Sequence, residues 1–147
     1  MISRFSRLVW AAVVLGGLTL GGSAARAESL VGAVAGRPYV VTVASVSGMK
    51  GQPVKAQVVI KPVAGYHMNE EFPTTLKLNP TAGVAFAKAA LTKQDAVLSK
   101  QECRFDVQMT GSEAGKKSVT GNLSFAVCTE TTCDPQKTPV TIELTVK

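Results

Sequence analysis

Apolar and polar side chains alternate with a period of two along most of this chain. Val54, Ala56, Val58 and Ile60 stand against Lys55, Gln57 and Lys61, the pattern of an extended strand with one face buried. The alternation returns at Phe105, Val107 and Met109 against Arg104, Asp106 and Gln108, and again at Val119, Leu123, Phe125 and Val127 against Thr120, Asn122, Ser124 and Ala126. A last strand sets Val140, Ile142, Leu144 and Val146 against Thr141, Glu143 and Thr145. Shorter candidates are Tyr39–Val46, Leu76–Leu78 and Val84–Phe86, with turns marked by Gly-Gln-Pro at 51–53, Asn79-Pro80 and 111–117. Helical spacing is scarce: Ala87–Ala96 predicts a turn or two of helix, or a plain loop.

About seven short strands, each with one polar face, predict an all-β fold, an immunoglobulin-like antiparallel β-sandwich. A small open barrel is the competing architecture. Glu28–Arg37, small and Gly-containing, reads as a loosely held N-terminal arm. No internal repeat or low-complexity linker interrupts the pattern.

The first 27 residues follow a different logic. Arg4 and Arg7 precede an apolar run from Leu8 to Leu20, and Ser23-Ala-Ala25-Arg26-Ala27 supplies the small residues of a signal-peptidase site. The run is short for a membrane span of about 20 residues. Residues 1–27 are thus expected to be a signal peptide cleaved near Ala27, with no stable membrane insertion afterwards and a periplasmic or secreted location. An uncleaved signal anchor is the competing reading. The residue directly after the cleavage point is Glu28, not Cys, which argues against a lipid anchor at the new N-terminus.

Processing leaves residues 28–147, a single domain of 120 residues. The formal charge of +6 loses three arginines with the signal, leaving thirteen Lys and Arg against ten acids. The lysines are scattered and few aromatics lie between them, so composition argues against nucleic-acid binding.

Cys128 and Cys133 flank Thr-Glu-Thr-Thr near the chain's end. An exported chain sits where disulfides form and persist. With Leu123, Phe125 and Val127 facing the core, strand parity turns Cys128 to the outer face, away from the packed interior. Thr129–Thr132 suits a four-residue hairpin loop that returns Cys133 to bridging distance. Pro135 and Pro139 cannot donate to a ladder, which predicts an edge strand. An outward disulfide on an edge hairpin is open to thiolate attack, as exchange requires. A structural staple is the other reading, although so short a loop gains only ~2 kcal/mol from closure. Spacing alone leaves the two open.

Gly65-Tyr-His-Met-Asn69, Arg104-Phe-Asp-Val107 and Gly121-Asn-Leu-Ser-Phe-Ala-Val-Cys128…Cys133-Asp-Pro135 together resemble the N-terminal periplasmic domain of DsbD-type thiol:disulfide interchange proteins, over roughly residues 55–147. The resemblance implies an immunoglobulin-like sandwich whose cysteine pair passes electrons between a membrane domain and periplasmic oxidoreductases. It implies a mixed disulfide at Cys133, resolved by Cys128, and places Tyr66 and His67 at the site's border. It further implies a thioredoxin-like partner and, since this chain carries no membrane domain, a separate membrane electron donor. Three departures stand out. The inter-cysteine loop is polar, the membrane domain is missing, and nothing from Val84 to Lys100 matches the family's aromatic-bearing cap loop. Glu130 and Asp134 would tend to raise a thiol pKa, countered only by Lys137.

Cys103 has no evident partner if the other two pair. The expectation is a half-exposed free thiol or an intermolecular bond, and the sequence leaves open a bond from Cys103 to Cys128 or Cys133. His67, the only histidine, invites a copper reading beside Met68 and Met109, but the spacing offers no H-x-x-M, M-x-M or C-x-x-C array. No metal or other cofactor is therefore expected. Asn69-Glu70-Glu71-Phe72-Pro73 reads as a solvated loop, because adjacent carboxylates on an extended chain diverge and no nucleophile accompanies them. A non-enzymatic sandwich that binds a protein partner or copper, stapled by its disulfide, is the alternative to exchange.

Overall fold

Each alternating run in the sequence becomes a strand, and their apolar faces meet between two sheets. The computed structural model describes residues 36–147 and the backbone of Ser29–Gly32; the expected signal peptide lies outside the described residues. The strands, in chain order, are β1 (Ser29–Gly32), β2 (Tyr39–Ala44), β3 (Val46–Gly48), β4 (Pro53–Pro62), β5 (His67–Met68), β6 (Thr75–Leu78), β7 (Val84–Phe86), β8 (Ala90–Thr92), β9 (Ala96–Leu98), β10 (Cys103–Gly111), β11 (Gly115–Cys128) and β12 (Cys133–Val146). One sheet runs β1–β2–β4–β10–β7 with β9 also paired to β10. The other runs β3–β12–β11–β6–β8 with β5 also paired to β11. All pairings are antiparallel except β3 with β12. The fold is an immunoglobulin-like β-sandwich.

The core forms as the alternation predicts. Val58, Ile60, Phe105 and Val107 from the first sheet and Leu76, Leu123, Phe125 and Ile142 from the second are wholly buried in one cluster. Across the layer, Tyr39 meets Phe125 edge to face, ring centroids 4.7 Å apart.

Several expectations need correction. Ala87–Ala96 holds one helical turn of the one or two expected, the 3-10 turn Lys93–Asp95, but the strand β8 before it and the start of β9 at Ala96 were not expected. Asp95 fixes that turn by accepting from the Thr92 amide at 2.8 Å and pairing with Lys88 at 2.7 Å. The Lys88 hydrogen bond, then the Thr92 amide, hold its carboxyl below the usual range. The N-terminal arm is not wholly loose, since β1 pairs along β2. Residues 115–117 belong to β11, not to a turn, because their backbone pairs with residues 144–146.

The long hairpin β11–β12 places the cysteines. Fourteen successive pairs run from Gly115 opposite Val146 to Cys128 opposite Cys133. β12 is an edge only over its cysteine-proximal part, where Pro135 and Pro139 lie. Its far end, Leu144–Val146, is covered by β3, so the edge expectation holds for all but the last three residues of the strand.

Candidate functional site

Three turns gather at one end of the sandwich around the Cys128–Cys133 disulfide, whose Cα atoms are 4.0 Å apart. The cysteine turn closes without glycine. Thr129 N–H donates to the Thr132 carbonyl at 2.8 Å, and Thr129 Oγ1 accepts from the amides of Thr131 and Thr132 at 3.3 and 3.1 Å. Hydroxyl capping of this kind stands in for the backbone freedom a glycine would supply.

The second turn leads from β4 to β5 and crosses between the sheets. Tyr66 N–H donates to the Val63 carbonyl at 3.0 Å, with Gly65 at the third position and φ +85°. That is a type II turn, which requires a positive φ there and hence favours glycine. It delivers His67 into the ladder opposite Cys128 and Met68 opposite Val127. The third turn, Ser99–Glu102, joins β9 to β10, and its Lys100 carbonyl accepts from Met68 N–H at 2.9 Å.

Between these turns lies an open cleft of about 790 Å³, bordered by Tyr66, His67, Lys100, Gln101 and the Cys128–Cys133 loop. Sequence reasoning placed Tyr66 and His67 near the cysteines, and both line this cleft with them. Tyr66 is exposed and His67 half-buried.

The two sulfurs differ in access. Cys133 is exposed, whereas Cys128 is only 4% exposed and Ala126 1%. Parity predicted the direction, since neither residue joins the core cluster, but the expected exposure of Cys128 is corrected. At this level β11 is an interior strand, flanked by β5 and β12, and Cys128 lines the cleft together with the three turns.

Asn69 was missed. It follows β5, and its N–H donates to the Ala126 carbonyl at 2.9 Å. Its Oδ1 accepts from the amides of Glu71 and Phe72 at 2.9 and 3.1 Å, and its Nδ2 lies 3.6 Å from Cys133 Sγ. The loop 69–73 is solvated as expected, with Glu70, Glu71 and Pro73 exposed, but it is also pinned, since Lys93 Nζ holds the carbonyls of Glu70 and Glu71 at 3.3 and 3.4 Å. Nothing local in the sequence marks Asn69 as a cysteine neighbour, because a sheet crossing brings them together. The same holds for Lys100, the cation that lines the cleft; the anticipated Lys137 instead lies opposite Ser124, four residues along β12, and does not border it.

Cys103 is also corrected. It is wholly buried, opposite Ile60 and Leu98, and bonded to neither other cysteine. Desolvation, then the nearby Glu102 carboxylate, push its thiol up to about 11. No group of three or more His, Cys, Asp or Glu side chains able to hold a metal ion occurs among the described residues. No helix there is long and apolar enough to cross a membrane.

No family model matches the chain, and no curated protein matches it. Among solved structures it is similar to AggA, the major subunit of aggregative adherence fimbriae type I from Escherichia coli, at 13% identity and TM-score 0.40, covering 76% of this chain and 97% of that one. It is also similar to murine CRIg, at 14% identity and TM-score 0.38, covering 74% and 98%. Neither likeness bears on the chemistry of the cysteine cleft.

Proposed function

We propose that this chain is an exported thiol:disulfide exchange domain that passes electrons through Cys128 and Cys133 to or from a periplasmic, thioredoxin-like oxidoreductase. The observation that carries the reading is the one-sided access to the disulfide: Cys133 is exposed at an open cleft while Cys128 is covered. An incoming thiolate attacks the sulfur it reaches, so a new bond forms at Cys133 Sγ and the old S–S pair leaves as the Cys128 thiolate. In reverse, the Cys133 thiolate attacks a partner disulfide and expels one partner thiolate. Cys128 then attacks Cys133 Sγ, releasing the reduced partner. The resemblance to DsbD-type N-terminal domains supports the same order, and a separate membrane protein would supply the electrons.

The test is the reduction potential of the pair, with trapping as its complement. A working pair lies above about −300 mV, whereas a structural disulfide lies below it. The Cys128→Ser variant is expected to retain a thioredoxin-like protein through Cys133, and the Cys133→Ser variant to retain little. A potential below that limit together with no trapping by either variant would leave the disulfide a staple.

A further inference from the structure

Resting on the exchange reading for its use but not for its measurement, we infer that Asn69 is a catalytic residue that stabilises the Cys133 thiolate by hydrogen bonding from its side-chain amide. Cys133 Sγ is the atom at which the mixed disulfide forms, and Asn69 Nδ2 is 3.6 Å from it.

The direction of the amide is fixed by its other end. Oδ1 accepts from the backbone N–H groups of Glu71 and Phe72. Turning the amide over would aim NH2 at two donors, so the donating end must face the sulfur. The backbone is pinned as well, by the Asn69 N–H to the Ala126 carbonyl on β11. Asn69 is thus held at three points, and its donor aims at sulfur before any partner arrives.

Reduction puts charge on that sulfur. An N–H donor bonded to the ionised form favours it, and a charge-assisted bond exceeds a neutral one. Opposing this are the carboxylates of Glu130 and Asp134. Both residues are exposed, so solvent and salt screen them, and Asp134 already accepts from Gln136 Nε2. A fixed donor in direct contact outweighs these screened, solvent-exposed charges. The conclusion reverses the sequence expectation that Glu130 and Asp134 raise this thiol's pKa, countered only by Lys137.

The experiment reads the pH dependence of Cys133 alkylation by iodoacetamide in the folded Cys128→Ser protein, with the site confirmed by peptide mass. Asn69→Ala removes the donor without adding charge. Asn69→Ser also removes it but keeps a short acceptor for the turn, guarding against a loosened loop. Both are expected to move the profile upward by about one pH unit, an approximately tenfold slower reaction below the midpoint. Asn69→Asp, which keeps the turn and adds a negative charge, is expected to move it further. Profiles of the Ala and Ser variants coinciding with the parent overturn the role of Asn69. Because no partner is present, that result leaves exchange standing, whereas a staple-like potential would sink exchange without altering the alkylation profile.

Discussion

His67 lies directly opposite Cys128 in the β5–β11 ladder, and Cys133 lies opposite Cys128 on the other side. Directly opposed residues on neighbouring strands share a face, so the three form one row across the outer face of the sheet. The next row inward, Met68 and Val127, points into the core. Covalent chemistry and hydrophobic packing are thus separated by a single residue of register.

The row predicts an order of thiol reactivity. After reduction under native conditions, Cys133 should be alkylated first, Cys128 at least about tenfold more slowly, and Cys103 only on unfolding. Timed quenching and peptide mass spectrometry check it. Equal labelling of Cys128 and Cys133 would remove the asymmetry on which the exchange order depends.

The sandwich should fold without its disulfide. Fourteen ladder pairs and a core from both sheets hold the hairpin independently of the sulfur bridge. A Cys128→Ser/Cys133→Ser variant should lose no more than ~2–3 kcal/mol in urea denaturation. A chain that cannot fold would mark the bridge as a staple.

Cys103 should make stability fall in alkali. Its thiol is raised from the ordinary 9.0 to about 11 in the folded chain, so the unfolded chain releases its proton first. The stabilisation is complete below pH 9 and is lost as pH rises toward 11, up to ~2–3 kcal/mol. In Cys103→Ala that loss should be absent, although packing lowers stability at every pH. The comparison is the slope between pH 9 and 11, and parallel slopes would refute it.

Gly65→Ala should cost about 1–2 kcal/mol, because the type II turn demands its φ of +85°. No atom within 4 Å blocks the added methyl, so backbone strain is the sole cause. The same variant should disturb Tyr66 and His67, read as altered alkylation of Cys128. Unchanged stability would mean that the turn relaxes freely.

The long strands were legible because alternation reports burial one face at a time. Phe105, Val107, Leu123 and Ile142 fall where the pattern put them. The cysteine hairpin was legible too, since its loop is local. What escaped is what arrives from a distance. Parity gave the direction of Cys128 but not its burial between two neighbouring strands, and Cys103 looked half-exposed because two flanking strands cannot be seen from one. Asn69 is 64 residues from Cys133 along the chain and carries no local signature. β8 and β9 were lost because the small and polar residues of Ala87–Ala96 show no clear alternation, whereas β7, equally short, shows it at Val84 and Phe86.

The ladder from Gly115–Val146 to Cys128–Cys133 has a kinetic side as well. When the S–S bond opens, thirteen backbone pairs behind it keep both strands in register. The thiols are then tethered neighbours, and reclosure is a unimolecular event at high effective concentration. Any adduct at Cys133 therefore faces a competitor that never diffuses away, and its lifetime is set by how readily the buried Cys128 sulfur turns toward it.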